Sequence, residues 1–175
     1  MAEPQSRRTL LTTPLFSVEH RKYTTSDGGV FARDVIIHPG AVVILPVLDD
    51  GRIVHIRNFR YTVGRELLEL PAGTREPDES PLQTAHRELI EETGFRAAHM
   101  EPLVEFYASP GILTERMYVF IARGLVAEQQ NLQQSEQITV VTFDLPTIRR
   151  MLINGEIEDG KTIAALGTYL LRHST

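Results

Sequence analysis

Gly73-Thr74-Arg75-Glu76-Pro77-Asp78-Glu79-Ser80 leads into Pro81-Leu82-Gln83-Thr84-Ala85-His86-Arg87-Glu88-Leu89-Ile90-Glu91-Glu92-Thr93, which stops at Gly94-Phe95. The second block reads as a helix over about Pro81 to Thr93. A serine hydroxyl can cap the first free N–H groups, proline suits the first helical position, and glycine suits the left-handed residue that ends a helix. Leu82, Ala85 and Leu89 are the expected buried stripe. Glu88, Glu91 and Glu92 stand at i, i+3 and i+4, so three carboxylates share one face beside that stripe. Two carboxylates about 5 Å apart repel by about 3 kcal/mol at an effective dielectric near 20. Such a face is either solvated, with Arg87 pairing Glu91 at i+4, or relieved by a cation. Hard oxygen ligands in that number favour Mg²⁺ or Mn²⁺.

Upstream of this segment, Ala41 to Leu48 is a β-branched apolar run bounded by Asp49-Asp50-Gly51, and Ile53 to Phe59 alternates behind it. Two core strands with a tight turn are expected. Further out, the first ten residues read as a loose tail. Leu15 to Tyr23 and Val30 to Ile37 read as a hairpin turning at Ser26-Asp27-Gly28-Gly29, and His38-Pro39-Gly40 stops it. Downstream, Leu103 to Ala108, Arg116 to Ala122 and Ile138 to Phe143 read as strands; Pro146 to Ile153 and Thr162 to Leu171 read as helices. Strands mixed with three helices indicate an α/β or α+β sandwich.

The composition is that of an ordinary globular domain: 175 residues, 42% hydrophobic and 23% charged. A chain of this length buries a core without staples. It has no cysteine, which excludes disulfides, thiolate metal sites and a cysteine nucleophile. The net charge of -5 comes without a run of like charges, against a nucleic-acid surface. Met1 to Arg8 has no apolar core of a signal peptide, and nothing approaches a membrane span, so a cytoplasmic location is expected. The six histidines show no ligand spacing.

Gly73, Glu79, Arg87, Glu88, Leu89, Glu91, Glu92, Gly94 and Phe95 fill every fixed position of G-x5-E-x7-R-E-U-x-E-E-x-G-U, with U apolar. The stretch resembles the Nudix box. The resemblance implies an α/β fold, a Nudix-type α/β/α sandwich of mixed sheets over residues 40–175, with a small N-terminal antiparallel β extension over 1–39. It implies hydrolysis of a nucleoside diphosphate linked to another group, with Mg²⁺ as cofactor and Mn²⁺ as its substitute. Glu88, Glu91, Glu92 and the carbonyl of Ala72 would hold the metal, and Glu79 and Arg87 would orient loop and helix.

Glu69-Leu70-Pro71-Ala72-Gly73, the turn Ser109-Pro110-Gly111, and Arg57-Asn58-Phe59-Arg60 are similar to segments of the ADP-ribose pyrophosphatases and nucleotide-sugar hydrolases within that family. This narrower resemblance implies ADP-ribose as substrate, with a nucleotide sugar such as GDP-mannose as the alternative and a non-catalytic binding module as a weaker one. It implies substrate contacts at Arg33, Arg57, Arg60, Glu76, Ser109, Pro110 and Gly111, with Arg60 favoured for the diphosphate because its planar fork donates two hydrogen bonds. Asn58 departs from the usual glutamine. Glu136, the last acid of the polar stretch Glu128 to Glu136, matches by position a loop glutamate acting as general base, so the implied catalytic set is Glu88, Glu91, Glu92 and Glu136. The partners implied are a small-molecule nucleoside diphosphate and a second copy of the chain in a homodimer, with neither nucleic acid nor membrane.

Overall fold

The computed structural model describes residues 3–173. Ala41–Pro46 is fully buried along its length and decides the layering, because alternate side chains of a strand face opposite ways. Ala41, Val43 and Leu45 enter one core with Ile148, Met151, Ala165 and Leu166. Val42 and Ile44 enter a second with Ala85 and Leu89. One sheet is therefore sandwiched between the carboxylate-bearing helix and the two C-terminal helices, as the α/β/α resemblance implies.

In chain order the elements are β1 (Ser6–Thr12), β2 (Ser17–Thr24), β3 (Val30–Ile37), β4 (Ala41–Pro46), β5 (Ile53–Arg60), β6 (Arg65–Glu69) and β7 (Ala72–Thr74). They continue with α1 (Pro81–Thr93), β8 (Phe95–Tyr107), β9 (Arg116–Ala127), β10 (Ile138–Phe143), α2 (Leu145–Ile153) and α3 (Gly160–Arg172). The central sheet runs β7-β4-β9-β8 and is mixed, β4 lying parallel to β9 and antiparallel to β7. A second sheet, β10-β5-β6, is antiparallel, and so is the N-terminal sheet β1-β2-β3.

Several expectations need correction. The first ten residues are not wholly a tail: Ser6–Thr12 pairs with β2, held by backbone bonds while all seven side chains stay exposed. Strand β8 begins at Phe95, well before Leu103, and β9 runs past Ala122 to Ala127. Leu82 does not join the stripe; it is exposed, and Ala85 and Leu89 carry the packing. His55 lies wholly buried on β5, edge-on to Phe143, with Nε2 lacking a hydrogen-bond partner among the described residues. Burial pushes its pKa down to about 4, so it packs as a neutral ring.

Candidate active site

Helix α1 starts on a capping box, in which the Ser80 hydroxyl accepts from the Gln83 N–H and the Gln83 side chain accepts from the Ser80 N–H. It ends on Gly94 at φ 67°. These bounds aim Glu88 and Glu92 at β7, the short strand whose Gly73 pairs with Val42 of the core. Gly73 is required there, since a Cβ would come within 1.9 Å of the Glu88 carboxylate. Only a bare backbone lets the strand and the carboxylate approach so closely.

Glu92 is 3% exposed, and its Oε2 accepts from the Ala72 N–H at 2.8 Å. Burial is the main reason its pKa is pushed up to about 8; the charges of Glu88 and Glu136 add to the push, against the Ala72 bond and Arg60. Glu88, also buried, is raised chiefly by desolvation, with Arg87 opposing and Glu91 and Glu136 reinforcing. Arg87 is the counterweight. Its Nε and Nη2 both donate to Glu79 at 2.9 Å, and its Nη1 donates to Glu88 at 2.7 Å and to Glu91 at 3.0 Å. The fork on Glu79 holds that carboxyl down at about 2. Thus the i+4 pair of Arg87 with Glu91 forms, but as one arm of a network that includes the loop acid.

The donor set fits a hard divalent cation: three helix carboxylates lie beside the β7 backbone, and the two buried ones, Glu88 and Glu92, are held above the usual carboxylate range chiefly by desolvation, a penalty that a bound cation would offset. Among the described residues, no three acidic or histidine side chains surround a single ion position. Arg87 sits between Glu88 and Glu91, and Glu92 is turned onto the Ala72 amide.

A cavity of about 880 Å³ opens over this face. Glu76, Arg60, Glu136 and the helix residues Glu88 and Glu92 all line it. An adjoining hollow of about 530 Å³ shares Arg60 and the Ala72-to-Thr74 strand and continues to Lys161 and Glu115. Arg60 donates to both oxygens of Glu69, at 2.7 and 2.6 Å, and Lys161 donates to the same carboxylate at 2.5 Å. Glu69 is wholly buried, so two cations share one buried charge at the junction of the two cavities. Neither Glu69 nor Lys161 was among the expected site residues. Glu69 opens the Glu-Leu-Pro-Ala-Gly segment, and Lys161 follows Asp159, whose side chain caps α3.

Other expected contacts lie elsewhere. Arg33 is exposed on β3 over the Phe31 ring, and Arg57 is exposed and paired with Glu66 across β5 and β6. Ser109, Pro110 and Gly111 form an exposed turn in which the Ser109 carbonyl accepts from Ile112 and Leu113; none of the three lines either cavity, although Ala108 and Glu115 do. Glu136 stands half-buried in its loop, with a carboxylate oxygen accepting from the Gln133 N–H at 2.8 Å.

The chain is similar to several known proteins. The chain is 37% identical over 150 residues to an ADP-ribose pyrophosphatase of Bacillus subtilis (strain 168), covering 85% of this chain and 81% of that one. It is 31% identical over 178 residues to a GDP-mannose pyrophosphatase of Escherichia coli O1:K1 / APEC, covering 94% and 93%. A crystal structure of an ADP compounds hydrolase superposes with a TM-score of 0.84 at 25% identity, covering 99% of this chain and 95% of that one. The NUDIX domain model matches residues 37–166, a span that holds the buried glutamates, the Gly73 strand and the Arg60 cavity wall, and the chain belongs to the NUDIX family.

Proposed function

We propose that the protein hydrolyses the pyrophosphate bond of ADP-ribose, yielding AMP and ribose 5-phosphate, with Mg²⁺ as the working ion and Mn²⁺ as its substitute. One observation carries the reading: Glu88 and Glu92 are buried side by side at the floor of a cavity whose wall offers Arg60. A diphosphate is a string of negative charge and needs both halves of that arrangement. A divalent ion held there would supply the charge that neutralises the diphosphate and lowers the pKa of a water.

The chain's residues divide the remaining work. Glu88, Glu91, Glu92 and the Ala72 carbonyl would hold the metal, while Glu79 fixes Arg87, which in turn orients Glu88 and Glu91. Arg60, anchored on Glu69, presents its guanidinium to the diphosphate with Lys161 beside it. Glu136 takes the proton from the attacking water. Glu76 lies on the cavity wall as a substrate contact. Residues 1–39 form the dimerisation extension of a hydrolase domain over 40–175. This extension exposes Leu10, Leu11, Leu15, Val30 and Phe31, and its Pro14-Leu15 turn reaches the cavity. Arg33, Arg57 and the Ser109-to-Gly111 turn would meet substrate in that homodimer. No helix among the described residues is long and apolar enough to cross a membrane, and the reading places the enzyme in the cytoplasm.

GDP-mannose is the second reading, supported by the Escherichia coli relative. A pocket that grips mainly the diphosphate discriminates modestly between the groups at either end. In a panel of ADP-ribose, GDP-mannose, UDP-glucose, NADH and dATP with Mg²⁺, ADP-ribose is expected to give the highest kcat/KM. GDP-mannose ahead by tenfold or more would overturn the substrate assignment and keep the chemistry. No hydrolysis of any of the five would favour a binding module.

A further inference from the structure

A helix leaves its last carbonyls without partners inside the helix. At the end of α1 these are taken by a segment far along the chain. The Glu91 carbonyl accepts from the Asn131 N–H at 3.1 Å, the Gly94 carbonyl from the Glu128 N–H at 2.7 Å, and the Glu92 carbonyl from Nε2 of Gln130 at 2.6 Å. The seam is tight: a Cβ on Gly94 would lie 3.0 Å from the Glu128 oxygen and 3.1 Å from the Gln130 nitrogen. From this root the chain continues through Gln133, Ser135 and Glu136, all on the cavity wall. It is fastened again at Gln137, whose carbonyl accepts from the Phe59 N–H at 3.2 Å and whose side chain donates to the Tyr61 hydroxyl at 2.9 Å.

We infer that Gln130 is a positioning residue for pyrophosphate cleavage, its side-chain amide locking the root of the Glu136 loop to the backbone of Glu92. The inference rests on the functional reading above. Of the three bonds to these carbonyls, only this one comes from a side chain. Glu92 is thereby held at both ends, its carbonyl by Gln130 and its carboxylate by the Ala72 N–H. The Gln130 amide thus adds a side-chain bond to the two backbone bonds that set the separation between the carboxylates on α1 and the carboxylate on the loop. Misplacement by about 1 Å between such groups costs on the order of 10²-fold in rate.

The test compares Gln130→Met, which keeps length and removes the donor, with Gln130→Lys, which keeps a donor of similar reach. Gln130→Met is expected to lower kcat by about tenfold or more with KM changed less than about threefold. Gln130→Lys is expected to retain kcat within about threefold, since the donor is what matters. Without substrate or metal, amide hydrogen exchange over 128–137 should speed by about tenfold or more in Gln130→Met while β4 keeps its protection. A parental kcat in Gln130→Met, equal losses in both variants, or a lost kcat with unchanged exchange over 128–137 would each overturn the assignment. Turnover is measured with whichever substrate of the panel the parent protein hydrolyses, so an inert ADP-ribose arm defeats the substrate reading alone. Exchange still decides whether Gln130 fastens the loop.

Discussion

Glu92→Gln is expected to lose nearly all turnover in saturating Mg²⁺ while melting no lower than the parent in EDTA. The carboxylate is buried, and an amide oxygen in its place can still accept from the Ala72 N–H, so the fold keeps its bond and the site loses a ligand charge. The sign of the pH effect follows from a pKa pushed up to about 8. Below about pH 4.5 the group holds its proton folded and unfolded alike. As pH rises from there to about 8, the unfolded chain releases the proton and the folded one resists. Stability therefore falls across that window, by at most about 5 kcal/mol. Glutamine has no proton to release, so in EDTA the melting temperature of Glu92→Gln should gain on the parent between pH 5 and pH 8. Parental turnover in saturating Mg²⁺ would contradict the metal assignment, and a gap that does not change with pH would contradict the burial argument.

Glu136→Gln should lower kcat by about 10²–10⁴, the range of a general base, with the Mg²⁺ concentration for half-activation near the parental value. The loop carboxylate acts on the water's proton and is not one of the proposed metal ligands. Its resting bond to the Gln133 N–H survives in the amide, so the loop should keep its shape. An unchanged kcat across pH would move the role to a carboxylate of α1, with Glu91 the most exposed of the three.

The parts legible in the sequence are those written in local chemistry. Ser80, Pro81 and Gly94 mark the ends of α1 as Pro81–Thr93, because capping is decided within a turn of the residue that does it. The two-faced burial of Ala41–Pro46 shows in its unbroken apolar run. β1 leaves no such trace, since its seven side chains are exposed and only its backbone is paired. β6 and β7 are short, and β7 is three residues of Ala-Gly-Thr without any period to read. Leu82 misleads because a period of 3.6 names a face without saying how wide the buried part of it is. In the site, the spacing of Glu88, Glu91 and Glu92 is readable, but what they touch is not. Lys161 reaches Glu69 across 92 positions, and Gln130 reaches Glu92 across 38. Only the folded chain brings those pairs together.

In the proposed reaction the buried carboxylates of α1 act through a divalent ion on a pyrophosphate. Its most direct test is the rate of AMP release from ADP-ribose as Mg²⁺ is titrated into protein stripped with EDTA. No release is expected in EDTA, then a saturable rise with Mg²⁺ that yields AMP and ribose 5-phosphate in equal amounts, and no such rise in Glu92→Gln. Hydrolysis that proceeds undiminished in EDTA, or a Glu92→Gln protein that follows the parental curve, would contradict this mechanism.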